Sequence, residues 1–81
     1  MNTVKSITHR KIKKDVARGL AFVETGEIHI DERLRGLEHL EILLHEIVHC
    51  QCPKWSELKV IGHSKEMSRL LWEQGYRRIS E

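Results

Sequence analysis

The sequence predicts a single α+β domain over residues 1–81, in which a short β-hairpin or small antiparallel sheet packs on two main helices. Two observations carry this prediction: two short apolar runs separated by a glycine-containing turn, and two longer runs with helical periodicity. A chain of 81 residues buries only a thin core. A tightly bound metal would therefore help it to fold.

The hairpin is expected in the first half of the chain. Gly19 interrupts the chain ahead of an apolar strand at residues 20–23. A turn at residues 24–27 leads into residues 28–30, which alternate as a half-buried strand should. We expect residues 28–30 to offer an edge along which a peptide could align.

Two helices are expected in the second half. The first covers residues 37–50, where the apolar side chains form one core-facing stripe, and Pro53 ends it. Ser56 is the expected N-cap of the second helix, which runs over residues 57–74 and stops at Gly75.

The first helix carries the pattern His-Glu-x-x-His at residues 45–49. Residues i and i+4 lie on one face of a helix, so the imidazoles of His45 and His49 can bind one ion. Glu46 points beside that ion, where it could act as general base towards a water that the metal activates. Both histidines lie at the border of the apolar stripe, where a cleft between core and solvent would form. The pattern thus predicts a zinc site with catalytic chemistry.

A catalytic zinc needs a third protein ligand, and Glu57 is the preferred candidate. Its position falls in the inward arc of the second helix, where a carboxylate is costly unless a positive group meets it. His63 is the alternative, at the rim of the same arc. Cys50 and Cys52 lack the usual C-x-x-C spacing of zinc thiolates and are expected to be small buried side chains.

Charge and composition restrict the partners and the compartment. The net charge is +2, which argues against nucleic acid as a partner, although basic residues cluster between His9 and Lys14. Residues 1–14 are otherwise weakly patterned, with a short strand the most that they suggest. No signal peptide and no membrane span are expected, and the closely spaced cysteines suit a reducing cytoplasm.

About two-thirds of the chain, from the hairpin to the C-terminus, resembles the small zincin-type metallopeptidase-like proteins of bacteriophages and prophages. The matching segments are Gly26-Glu27-Ile28-His29-Ile30-Asp31, Leu43-Leu44-His45-Glu46-Ile47-Val48-His49, Pro53-Lys54-Trp55-Ser56-Glu57 with Val60, and Leu71-Trp72-Glu73-Gln74-Gly75-Tyr76-Arg77-Arg78. A competing resemblance is to SprT-like proteases, which Gly62-His63-Ser64-Lys65-Glu66 echoes.

The first resemblance implies a minimal zincin-like domain with a gluzincin-like ligand set, in which His45, His49 and Glu57 hold Zn²⁺ and Glu46 is the general base. The implied reaction is hydrolysis of a peptide bond in a protein or peptide substrate, including a host protein in the host cytoplasm if a phage encodes the chain. The second resemblance would move the third ligand to His63. A different class of function stays open: a zinc-stabilised regulatory protein that binds a host protein without cutting it.

Overall fold

The computed structural model describes residues 2–79 and confirms the α+β class. Three strands precede two helices along the chain. The strands form one sheet, which packs against the first helix. The elements in chain order are β1 (Ser6–Arg10), β2 (Gly19–Phe22), β3 (Glu27–Asp31), α1 (Gly36–Gln51) and α2 (Glu57–Glu73).

Strands β2 and β3 form the predicted antiparallel hairpin, with Ala21 opposite Ile28. The backbone N–H of Gly26 donates to the carbonyl of Phe22 at 2.9 Å. Gly26 has φ 76°, which an L side chain rarely adopts, so glycine closes this turn without strain. The prediction that Gly19 lies outside the strand was wrong, because Gly19 is the first residue of β2.

Strand β1 pairs with β3 in parallel, so the sheet is mixed and its order is β1-β3-β2. Because β3 is hydrogen-bonded on both sides, the prediction that residues 28–30 form an edge was wrong. The side chains of Ile28 and Ile30 are fully buried, as expected for the central strand of a sheet that one helix covers. The free edges of the described sheet belong to β1 and β2.

The core lies between β3 and α1. Ile28, Ile30, Leu34 and Cys50 form one buried cluster, against which side chains of β2 and α1 pack. Cys50 is a fully buried free thiol, as predicted, and Cys52 is a half-buried one. Helix α1 is therefore held by its apolar stripe, and its other faces are available for polar side chains.

Helix α2 packs on α1 and, within the described chain, on no strand. Ser56 is its N-cap, as predicted, since the Ser56 hydroxyl accepts a hydrogen bond from the Lys59 N–H at 3.2 Å. The face towards α1 carries the buried side chains of Val60, Ser64 and Ser68. Two of these are small, which allows the helices to approach closely. Glu57 stands one turn before Val60, at the start of the same face.

An ion pair fixes the segment between β3 and α1. The buried carboxylate of Asp31 accepts hydrogen bonds from the Arg33 guanidinium at 2.7 and 2.9 Å and from the Arg33 backbone N–H at 3.0 Å. The same guanidinium donates to the Ile12 carbonyl, which ties the loop after β1 to the loop after β3.

Asp31→Asn should lower the free energy of unfolding at neutral pH and weaken its acid dependence. The hydrogen bonds from Arg33 lower the pKa of Asp31 from 3.8 to about 2. A depressed carboxyl pKa stabilises the fold above the unfolded-state value, and that stability is lost as pH falls from about 4 to about 2. Urea unfolding at pH 7, 4 and 3 measures the effect. Equal acid dependence of the wild type and Asp31→Asn would contradict this assignment.

None of the helices within residues 2–79 is long and apolar enough to cross a membrane.

Candidate metal centre

Helix α1 places the imidazoles of His45 and His49 side by side, one turn apart on the face towards the start of α2. Their ring centroids are 4.6 Å apart and their planes cross at 71°. Both side chains are partly buried, with exposed fractions of 20% and 26%. The two Nε2 atoms are thus held at the surface of the helix pair and point to a common neighbour.

That neighbour is Glu57, the first residue of α2. One carboxylate oxygen of Glu57 is 3.0 Å from Nε2 of His45, and the other is 3.0 Å from Nε2 of His49. The side chain of Glu57 is 61% exposed, so the prediction that it points into the packed interface was only half right. Glu57 lies on the face of α2 that packs on α1. Because it is the first residue of α2, it lies at the end of the α1–α2 interface that is open to solvent.

The three side chains fit a zinc ion in donor chemistry, and they lie close enough together to be brought onto one ion. One ligand atom from each of His45, His49 and Glu57 lies within 4.8 Å of the other two. With metal–ligand bonds of about 2.0–2.2 Å, a tetrahedral zinc holds its donors about 3.3 Å apart. The two His–Glu distances of 3.0 Å run to different oxygens of Glu57, so one of these oxygens would have to turn towards the ion to serve both imidazoles as a shared ligand set. Two imidazoles and a carboxylate leave a fourth position for water, as in catalytic zinc sites.

The environment favours the neutral form of His45, which is the form that binds a metal. Burial lowers the pKa of His45 below its ordinary value, and the neighbouring His49 lowers it further. The carboxylate of Glu57 opposes both effects through its charge and its hydrogen bond. Metal binding requires neutral imidazoles and would therefore compete with protonation of His45.

Glu46 lies beside this cluster and is the only one of the four side chains that is buried, with 9% of its surface exposed. No hydrogen bond or ion pair joins its carboxylate to any residue from 2 to 79. In the same part of the chain, no fully enclosed side-chain oxygen lacks a partner, so the Glu46 oxygens must keep a narrow opening to solvent. Burial raises the pKa of Glu46, His49 opposes the shift, and Glu57 adds to it.

The alternative ligands lie away from the cluster. His63 is exposed, and its ring faces Trp55 at a centroid distance of 4.7 Å. Neither Cys50 nor Cys52 contributes to the group of candidate ligands. A further pair, His9 and His39, joins β1 to α1 through Nε2 atoms 3.0 Å apart. Within residues 2–79, only His45, His49 and Glu57 bring three potential metal ligands together.

His63→Ala should keep zinc at the wild-type stoichiometry, because its imidazole packs on Trp55 and does not reach the cluster. Elemental analysis of the purified protein after dialysis against trace zinc measures this directly. Glu57→Ala is the matched comparison on the same helix and should lose zinc. If His63→Ala loses zinc and Glu57→Ala keeps it, the ligand set given above is overturned.

The arrangement combines a group of three potential metal ligands with a buried carboxylate that has no hydrogen-bond partner among residues 2–79. No family model, no curated protein and no solved structure matches the chain.

Proposed function

We propose that the chain is a zinc-dependent metallopeptidase that hydrolyses a peptide bond with Glu46 as general base. The observation that supports this best is Glu46 itself. Burying most of a carboxylate side chain without a hydrogen-bond partner in the described protein costs folding free energy, even where its oxygens keep a narrow opening to solvent. Next to a His-His-Glu cluster, the same carboxylate has a use in proton transfer.

In this proposal His45, His49 and Glu57 would hold Zn²⁺, which would supply Lewis-acid chemistry when bound. Glu46 accepts a proton from the attacking water and later donates it to the amine that leaves. Burial raises the pKa of Glu46 in the metal-free chain, and a carboxylate of higher pKa accepts the proton of the attacking water more readily.

The free edge of β2 is the place that we propose for the substrate backbone. Strand β2 packs on α1, and its first residue, Gly19, lies against the Glu46 side chain. The Asp31 N–H donates to the Arg18 carbonyl at 2.8 Å, so by antiparallel alternation the polar backbone groups of Gly19 and Ala21 face away from β3. An extended peptide could pair with them and so reach the metal centre.

On this proposal the chain would be a minimal zincin of the phage and prophage type. Its substrate would be a protein or peptide, with a host protein in the cytoplasm as our candidate. The two free cysteines fit a reducing compartment. The near-neutral charge of +2 argues against nucleic acid as the substrate.

The test is hydrolysis of an unfolded protein such as fluorescently labelled casein by the zinc-loaded chain. Cleavage should stop when a chelator removes zinc and should return when zinc is added back. Mass spectrometry of the products identifies the bonds cut. If the zinc-loaded chain cuts neither casein nor a broad peptide library, the proposal of a peptidase fails.

The second candidate is a zinc-stabilised protein that binds a host protein without cutting it. The observation in its favour is the other free edge, β1, whose side chains are mostly exposed and which runs into the basic residues Lys11, Lys13 and Lys14. A binding protein of this kind would keep its biological effect in Glu46→Gln, whereas a peptidase would lose it.

A further inference from the structure

The side chain of Glu46 occupies the space that a side chain at Gly19 would need. A Cβ atom at Gly19 would lie 2.8 Å from Cγ of Glu46 and 3.1 Å from its Oε2 atom. It would also lie 2.9 Å from Cγ2 of Ile42, one turn earlier on α1. Real Cβ atoms essentially never approach other heavy atoms within 3.0 Å, so an L side chain at this position requires both Glu46 and Ile42 to shift.

The backbone does not explain the glycine. Positive φ angles occur at Gly26, Gly36 and Gly75, and Gly19 is not among them. Its backbone is therefore one that alanine could adopt. A glycine at the start of a strand costs conformational entropy and packs nothing, and it commonly marks a close approach of another group. Here the close approach is that of the side chain proposed as general base.

We infer that Gly19 is a positioning residue for Glu46: its bare Cα forms the wall against which the carboxylate is held beside the metal centre. Glu46 has no hydrogen-bond partner among residues 2–79, so steric contact is what restricts its rotamers. The contact on the side of the sheet comes from Gly19 of β2, where Glu46 occupies the space that a Cβ atom would take. This inference rests on the proposed function of Glu46.

The same contact links the general base to the proposed substrate edge. The backbone polar groups of Gly19 face outward along the free side of β2, while the space above its Cα is filled by Glu46. A peptide paired with β2 would therefore lie at a fixed distance from Glu46.

The test compares Gly19→Ala with Gly62→Ala in the zinc-loaded chain. Gly62 is an exposed glycine of α2 with no heavy atom within 4 Å of an added Cβ, so Gly62→Ala should keep wild-type kinetics. Gly19→Ala should lower kcat about 100-fold, which is typical for a catalytic group displaced by about 1 Å. KM should change little and the zinc content should stay at the wild-type level. A kcat within threefold of the wild type would overturn the inference.

A second readout does not depend on turnover. Co²⁺ in place of zinc gives a visible spectrum that responds to groups beside the metal. Gly19→Ala and Glu46→Gln should alter that spectrum in the same way, and Gly62→Ala should not. If the wild type proves to have no peptidase activity, the proposed function fails on its own, and an unaltered Co²⁺ spectrum in Gly19→Ala would then overturn the inference separately.

Folding of the variant is controlled by relieving one of the two clashes. Ile42→Ala removes the Cγ2 atom that an added methyl group would meet at 2.9 Å, while the contact with Glu46 at 2.8 Å stays. Gly19→Ala should therefore still lower kcat strongly when it is compared with Ile42→Ala alone. Equal kcat values for Ile42→Ala and the double variant would mean that Gly19 merely accommodates Ile42.

Discussion

Glu46→Gln should lower kcat for peptide hydrolysis by about 10²–10⁴-fold while zinc stays bound. Glutamine keeps the size of the side chain and its contact with Gly19, but it cannot accept the proton of the attacking water. Because Glu46 is not among the three ligands, the ion should remain at the wild-type stoichiometry. The loss should therefore appear in kcat, with metal content and fold preserved.

The matched control is Glu66→Gln, whose carboxylate accepts a hydrogen bond from Arg69 on the exposed side of α2. It removes one negative charge at a distance from the centre and should leave kcat unchanged. Measurements are steady-state hydrolysis and zinc content for each variant. Full activity in Glu46→Gln would show that the buried carboxylate is not the base, and the peptidase mechanism would have to be abandoned.

His49→Ala should weaken zinc binding by more than about 100-fold, since loss even of groups that only support metal ligands costs 10–100-fold. The His49→Ala substitution should also abolish the increase in the free energy of unfolding that zinc binding produces. Zinc at 100 times its dissociation constant stabilises a fold by about 2.7 kcal/mol, which raises the melting temperature of a domain of this size by about 10–20 °C. Thermal unfolding with zinc and with a chelator measures this shift.

The control for His49→Ala is His63→Ala, which removes an imidazole that contacts Trp55 instead of Glu57. Its melting temperature should still rise when zinc is added. A zinc-dependent rise of equal size in His49→Ala would contradict the metal centre. Without zinc, His49→Ala should differ little from the wild type, because the contact of His49 with Glu57 is partly exposed to solvent.

The sequence was sufficient for the parts of the fold that local patterns specify. A turn with glycine at the left-handed position predicts a hairpin, and the Ser56 cap with its apolar periodicity predicts α2 within one residue of its observed end. The pairing of β1 with β3 could not be predicted in the same way. Parallel partners are distant along the chain, and β1 has mostly exposed side chains, so neither a turn nor an alternating pattern marks it.

The candidate site was predictable where helical geometry determines it. Spacing of i, i+4 places His45 and His49 together, and the helical projection of α2 selected Glu57 over His63. The helical projection did not predict that Glu57 is exposed. A projection shows on which face of α2 a residue lies, but it does not show where along the helix axis the contact with α1 begins. Gly19 was missed as part of the site. Its signal is a glycine at the first position of a strand, which does not show what approaches it.

The packing of α2 on α1 alone has a consequence for motion. Since α2 contacts no strand within the described chain, its undocking would break its packing on α1 and would leave the strand pairings in place. Such a local opening costs less free energy than global unfolding, and it would carry Glu57 away from both histidines. Binding and release of the metal ion would then accompany docking and undocking of α2 on α1. The lifetime of the metal-bound protein would depend on the stability of the interface between α1 and α2.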